Sequence, residues 1–513
     1  MECVRQRAAD AARRRRFHCR RYDGGRFLKP PRAASGAHST TDASAVSYRM
    51  PRSTATLWRQ RLNHLLQGRE LTVTVLANAA WQSADNVIRL LVSLLVGVWT
   101  ARHLGAEDYG RLNYAVAVVG MVACVPALGL QQLVVRDLVK TPQRTPQILG
   151  TVFALQIIGA GVAFAIVVAL ALAHYPGDHL SAWLIVVIGV QLLMAPLNLA
   201  EVWSHAQLKS RYSAMARNVS FLATSLLRLG LLIGGATVFP FALASTFEVT
   251  LAAGLLAWVR RRMGCPAFSQ WRFDPDLLRR LGRTGWPMTL AAIISSAQVQ
   301  GDQVLLRAFC GNQQLGVFAA VRQIPLLLAA VFAAVSNAAL PALVQTYESN
   351  RPVFNARLLL GAQIGWVVGL AVAAAFVLLP EALVIAVFGP GYHESARALR
   401  FCAVSFPLIP LALACQPYYV VRDLRLFLFI QTCCNFLVWI VLAVPLIQRY
   451  SYVGAILATL ACQVVSMALD MTSRETRAIG KVKLCAMAFL YLWPRQRQAA
   501  ARRLAMALPG AGA

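Results

Sequence analysis

Charge is scarce in this chain, and acidic charge scarcest: 14% of the 513 residues are charged, with 21 Asp and Glu against 50 Lys and Arg. Soluble domains carry about 25% charged residues, and a chain that is 58% hydrophobic cannot hide its apolar surface in water. Equally absent are a GxxxxGK[ST] phosphate loop, an HExxH helix motif and any paired-cysteine metal spacing. That removes the sequence signs of an ATPase or a metal enzyme, and no cofactor is implied. The 11 cysteines lie mostly in apolar stretches, at Cys124, Cys402, Cys415, Cys433, Cys434 and Cys462, and read as small core hydrophobes. The N-terminal stretch lacks the apolar middle of a signal peptide.

What the chain has in quantity is long apolar runs, with a mean hydropathy of +0.56. A spanning helix needs roughly 20 such residues, and the runs predict an all-α integral membrane protein of about twelve transmembrane helices. They fall near Val75–Thr100, Leu112–Val134, Ile148–Ala173, Leu180–Val202, Ala214–Val238 and Phe241–Val259, then Trp286–Phe309, Leu315–Leu343, Leu358–Phe388, Ala396–Val420, Leu426–Ile447 and Tyr452–Met471. The net charge of +29 does not mark a nucleic-acid binder, because it sits in the tails and in alternate short loops. Arg136, Lys140 and Arg144, Lys209 and Arg211, Arg260 to Arg262 with Arg279, Arg280 and Arg283, Arg351 and Arg357, and Arg422 and Arg425 fall on one side. The other side holds chiefly Arg102, Arg111 and Arg449, with Asp178. Positive loops face the cytosol, so both termini are expected there. Trp99, Trp183, Trp203 and Trp258 near helix ends read as interfacial anchors.

The organisation expected is a basic tail over 1–70, a first six-helix bundle over 71–260, a basic cytosolic connector over 261–283, a second six-helix bundle over 284–477, and a basic cytosolic or interfacial tail over 478–513. Arg13 to Arg16 and Pro30-Pro31 give the first tail a disordered composition. It reads either as a cytosolic tail or as the product of a start mis-assigned upstream of Met50, and it shares an Arg-rich, acid-poor character with organelle transit peptides. Val482 to Trp493 is apolar but too short to span, and Lys481, Lys483, Arg495 and Arg497 at its ends suggest an interfacial helix. An internal repeat supports the two halves: Leu104-Gly105-Ala106-Glu107-Asp108-Tyr109-Gly110 and Cys310-Gly311-Asn312-Gln313-Gln314-Leu315-Gly316 keep both glycines at one spacing. Two unrelated tight turns would also use glycine.

Trp99-Thr100-Ala101-Arg102-His103-Leu104-Gly105, Asp108-Tyr109-Gly110, Gly129-Leu130 and Val135-Arg136 resemble the first-repeat signature of the flippases for O-antigen and exopolysaccharide repeat units. These belong to the multidrug/oligosaccharidyl-lipid/polysaccharide exporter superfamily. Gly301-Asp302-Gln303-Val304-Leu305-Leu306 with Gly311 and Gly316, and Phe388-Gly389-Pro390-Gly391-Tyr392, are similar to the family's second half. Leu315 departs from the Tyr usual before that glycine. The resemblance covers about residues 71–476, and its motifs mostly describe packing.

A charge at the bilayer centre costs about 2.5 to 3.5 kcal/mol even on the lenient insertion scale, so charges within spans are the informative residues. Asp85 and Arg89 lie four apart on one face of a helix and suit either a pair or a cleft. Arg228, Glu248, Asp302, Arg307 and Arg322 with Gln323 fall in later spans. The arginines Arg89, Arg228, Arg307 and Arg322 are candidates to line a substrate cleft, where their fork geometry suits a pyrophosphate. The bland alternatives are packing pairs, among them Asp302 with Arg307, and snorkelling. Asp302, then Asp85 and Glu248, are candidates for ion coupling. Pro126, Pro196, Pro325, Pro407 and Pro410 bend spans, whether or not they gate. Asp274-Pro275-Asp276 resembles the metal-binding DxD of glycosyltransferases, but the amphipathic Leu277 to Leu281 after it makes Asp274 a helix cap.

The resemblance implies a non-enzymatic transporter in a bacterial inner membrane. It would carry an undecaprenyl-pyrophosphate-linked oligosaccharide between leaflets by alternating access, with H+ or Na+ as coupling ion, membrane lipid as surroundings, and a polysaccharide polymerase and chain-length machinery as partners. A multidrug or peptidoglycan-precursor exporter of the same superfamily is the near rival. A membrane polymerase or ligase is the rival of another class, disfavoured by short external loops, and a bare scaffold is disfavoured by the intramembrane charges.

Overall fold

The apolar runs fold into sixteen α-helices, with no strand among the described residues. A computed structural model describes residues 53–127, 129–174, 178–207, 210–262, 264–378 and 381–488, with side-chain surroundings from residue 88 onward. The chain divides into two compact units, Met1–Gln67 and Gly68–Ala513; the described residues of the first, 53–67, are helical. In chain order the helices are α1 (Ser53–Val122), α2 (Cys124–Ala127), α3 (Gln131–Lys140), α4 (Thr145–His174), α5 (His179–Gly189), α6 (Leu199–Ala206), α7 (Ser210–Ile233) and α8 (Val238–Val259). There follow α9 (Pro275–Ser349), α10 (Arg351–Val377), α11 (Glu381–Phe388), α12 (His393–Ala403), α13 (Leu408–Val421), α14 (Arg425–Tyr450), α15 (Tyr452–Thr472) and α16 (Arg477–Met487). Nine stretches of the described residues are long and apolar enough to cross a membrane, or up to ten with the bent pair Pro390–Ala403 and Leu408–Val421 taken as one.

Two of those stretches are far too long for one crossing. Gly285–Leu340 has 56 residues, about 84 Å of helix at 1.5 Å per residue, against a hydrocarbon core of about 30 Å. Both long helices break at a glycine, α1 at Gly105 (φ 74°, ψ 171°) and α9 at Gly311 (φ 84°, ψ 179°). This conformation is essentially restricted to glycine. The helices fold back there: Arg322 reaches the Val299 carbonyl at 2.6 Å across the Gly311 bend, and Gly97 and Asn113 line one cavity across the Gly105 bend.

The two bends interlock. A Cβ on Gly110 would overlap the backbone carbonyl of Asn312, and a Cβ on Gly316 would overlap that of Ala106. In each copy of the repeat the first glycine makes the turn, and the second receives the residue that follows the other copy's turn. The contact is reciprocal, as a pseudo-twofold axis requires.

The ends of the two halves are also alike. Leu277 and Leu281, at the start of α9, are buried with Leu133, Leu138 and Ile148 of the first half, and Arg280 pairs with Asp137 at 2.9 Å. On α16, Ile479, Val482 and Ala486 are buried with Leu343, Phe354 and Leu358 of the second half. Lys483 pairs with the fully buried Asp470 at 2.6 Å. Each half thus has an amphipathic segment after its last long apolar helix packed back on it. The basic residues expected to lie in a connector and an interfacial tail include two, Arg280 and Lys483, that point at carboxylates.

Several long runs are broken where one span was read. The second run is interrupted around Pro126 and Gly129, the latter at φ 59° with Met288 backbone too close for a Cβ. The fourth passes through a nine-residue 3-10 segment, Val190–Asn198, that contains Pro196. Proline removes a ladder donor and clashes with the turn before it.

Candidate functional site

Two adjoining cavities, of about 320 and 450 Å³, lie between the first and second halves and share Leu90, Ser93 and Arg228. Arg228 projects from α7 between them. Its guanidinium donates to Ser245 Oγ at 3.2 Å and lies 3.3 Å from Glu248 Oε2, both on α8. Arg89 lines the larger cavity with its guanidinium over the Phe221 ring, 5.3 Å from the centroid. Asn337 of α9 closes that wall. Two guanidiniums against one carboxylate leave these walls cationic among the described side chains. The side chain of Asp85 lies outside the described residues.

Asp302 and Arg322 share a third cavity, of about 300 Å³, inside the second half. Asp302 is 8% exposed and accepts from Trp439 Nε1 at 2.7 Å and Thr459 Oγ1 at 3.2 Å. Gly301 makes room for that contact, since a Cβ there would strike the Trp439 indole. Arg322 donates to the Val299 carbonyl at 2.6 Å. The carboxylate and the guanidinium therefore face one cavity while each is held by neutral groups.

Arg307 lines none of these cavities. It pairs across the halves with Asp178 at 3.0 Å, donates to Ser181 Oγ at 2.9 Å and lies over the Tyr114 ring at 4.0 Å. The suggested pairing of Asp302 with Arg307 does not occur, because each finds its partners on other helices. Asp178 also caps α5 through the Ser181 amide. Burial pushes its carboxyl upward, but the Ser181 bonds, Arg307 and Arg111 outweigh that and hold it below the usual carboxylate range.

Sequence reasoning grouped Arg89, Arg228, Arg307 and Arg322 as cleft candidates and Asp302, Asp85 and Glu248 as ion-coupling candidates. The structure instead brings Arg89, Arg228 and Glu248 to one cavity and Asp302 with Arg322 to another, and leaves Arg307 outside both. Sequence reasoning missed Ser245, Asn337, Trp439 and Thr459; the signal for Trp439 is Gly301 beside Asp302. It also missed a cavity of about 360 Å³ inside the first half, lined by Gln156, Gln191, Asn198 and Glu201. There the 3-10 segment forms a wall and Glu201 is paired with Arg217. Among the described residues no three His, Cys, Asp or Glu side chains are grouped to hold a metal ion.

Residues 75–347 match the family model described as "Polysaccharide biosynthesis protein". No curated protein matches the chain significantly in sequence. Among solved structures, the lipid II flippase MurJ in an inward closed conformation superposes with a TM-score of 0.62 at 11% identity, over 85% of this chain and 97% of that one. A multidrug resistance MATE family transporter of the MOP superfamily superposes in its inward-facing conformation with a TM-score of 0.60 at 15% identity, over 81% of this chain and 96% of that one. An outward-facing conformation from the same family superposes at 0.52, with 15% identity over 83% and 96%. With the family model covering more than half of its length, this multi-pass membrane protein belongs to the polysaccharide biosynthesis protein family and has the fold of MOP-superfamily transporters.

Proposed function

We propose that the protein flips an undecaprenyl-pyrophosphate-linked oligosaccharide repeat unit from the cytoplasmic to the outer leaflet of a bacterial inner membrane, by alternating access and for surface polysaccharide assembly. The observation that carries this reading is the cationic pair of cavities between the halves, where Arg89 and Arg228 outnumber Glu248. A guanidinium stays charged at any physiological pH and meets phosphate oxygens two at a time. The diphosphate would bind there, the sugars would occupy the remaining volume, and the polyprenyl chain would stay in lipid. Arg322 extends the cationic surface from the neighbouring cavity.

Asp302 is the carboxylate proposed for H+ or Na+ coupling. It is buried and held by two neutral donors, so a cation or proton can neutralise it without displacing a salt bridge. Glu248 serves as counter-charge to Arg228 and ranks behind it, as does Asp85. With the bent pair taken as one span and each helix that folds back at Gly105 or Gly311 counted as two, the described residues are consistent with twelve spans. An even number would put both termini on one side, and the alternation of Lys and Arg supports the cytosol as that side. The better superposition on the inward-facing than on the outward-facing MATE structure supports a cytosol-facing state.

A peptidoglycan-precursor exporter is the second reading, favoured by the superposition on MurJ. Cationic drugs would call for acidic walls, and these are basic. The test is the fate of lipid-linked oligosaccharide after deletion of the gene, read in spheroplasts with a membrane-impermeant sugar-modifying probe. Complete repeat units trapped on the inner face, with surface polysaccharide lost and restored by complementation, are expected. Units that still reach the outer face would refute the proposal, and a block confined to peptidoglycan precursor would favour the second reading.

A further inference from the structure

We infer that the hydrogen bond from Gln323 to Tyr109 links occupancy of the cavity to the seal between the halves, because it joins a cavity wall to the residue beside Gly110. The inference rests on the transporter reading above and adds to it a positioning residue that senses the ligand.

Gln323 comes from the second half and lines the same cavity as Arg228. It approaches α1 closely, since a Cβ on Gly97 would meet its Oε1 at 2.6 Å. Its Nε2 donates to the hydroxyl of Tyr109, which belongs to the first half and is 5% exposed. Tyr109 immediately precedes Gly110, one of the two glycines whose backbone seats the opposite bend. Tyr109 lines the same cavity, so the bond joins two wall residues from opposite halves, one of them next to the seal, across the boundary that must part when the cavity opens at the Gly105 and Gly311 end.

The chemistry of exchange favours the ligand. An amide N–H can donate to a phosphate or sugar oxygen as readily as to a phenol, and an anionic acceptor makes the stronger bond. A diphosphate ester beside Arg228 would draw the Gln323 amide away from Tyr109. Without that bond, the Gly110 contact on Asn312 and its reciprocal at Gly316 lose the tie between the halves that lies beside them in the cavity wall, and the closed state loses stability relative to the open one.

The experiment uses the full chain, with its native cysteines replaced and Ser93→Cys introduced into the cavity wall, reconstituted in one orientation. The rate of modification by a membrane-impermeant maleimide is measured from each face. From the Gly105 face the parent should react slowly, and Tyr109→Phe and Gln323→Leu should each react about fivefold faster, the factor set by one hydrogen bond of ordinary net strength. The double variant should react no faster than either single one. Vesicles containing undecaprenyl pyrophosphate should raise the parent to the same rate and leave the variants unchanged, a response that a merely structural bond would not give. Gly110→Ala, which wedges the seal directly, is the control. Faster reaction in Gly110→Ala with parental rates in Tyr109→Phe would overturn the inference and leave the transporter reading standing. No reaction from either face in any variant, Gly110→Ala included, would overturn both.

Discussion

At the scale of single residues, the decisive feature is how each intramembrane charge is compensated. Arg228 has Glu248 at 3.3 Å and Ser245 at 3.2 Å, so truncating it removes the positive charge and leaves a carboxylate facing the cavity. Arg228→Ala should lower transport at least tenfold at unchanged protein level, and Arg228→Lys should retain part of it, because one ammonium cannot replace a fork. Complementation of a deletion strain with immunoblotting checks both. Asp178 makes a pH prediction with a definite sign. Its carboxyl is held below the ordinary value of 3.8 in the folded protein, so its contribution is present above that value and is lost as pH falls through the lower, folded one. Asp178→Asn keeps an N-cap oxygen but loses the charge opposite Arg307. The thermal midpoint of that variant should lie below wild type at neutral pH, and the gap should close only below about pH 4. A gap that is the same at pH 7 and pH 3 would assign the effect to the cap rather than the pair.

At the scale of elements, the two long helices depend on four glycines for two different reasons. Gly105 and Gly311 adopt backbone angles closed to other residues, and alanine there should cost about 1–3 kcal/mol. Gly110 and Gly316 are ordinary helical positions whose requirement is space, because the opposite bend's carbonyl occupies the place of a Cβ. Alanine at these two should therefore disturb the relation between the halves more than the stability of either helix. Limited proteolysis and thermal unfolding of the four variants separate the cases. The turn glycines should lower the midpoint, and the seat glycines should chiefly alter cysteine accessibility at the cavity.

At the scale of the molecule, the halves repeat in their folding-back helices and in the amphipathic segment that closes each one. The segment of the second half is held by Lys483 and Asp470, both buried, with Tyr419 and Gln431 bonded to the same carboxylate. Breaking a buried pair leaves one charge uncompensated, at a cost of about 3–5 kcal/mol. Lys483→Met should lower the unfolding midpoint in detergent accordingly, and adding Asp470→Leu should recover much of the loss. If Lys483→Met matches wild type, the pair adds nothing to the docking of α16.

Membrane residence, the rough places of the apolar runs and the two glycine-bounded turns were legible in the sequence, because hydropathy and backbone permission are local properties; the breaks inside the second and fourth runs were not. Gly105 and Gly311 announce a bend wherever the surrounding helices lie. The identity of the intramembrane charges was equally legible, but their pairings were not. Asp302 meets Trp439 at a separation of 137 residues and Arg307 meets Asp178 at 129, while the nearer match, Asp302 with Arg307, is not made. Lys483 reads as one of the basic residues at the end of an interfacial helix, and the structure buries it against Asp470. The low dielectric of the membrane requires that each such charge find compensation, and the chain alone states that requirement. Which group satisfies it depends on which helix faces present themselves to one another, and that was decided only by tertiary packing, inside the second half for Asp302 and Lys483 and between the halves for Arg307.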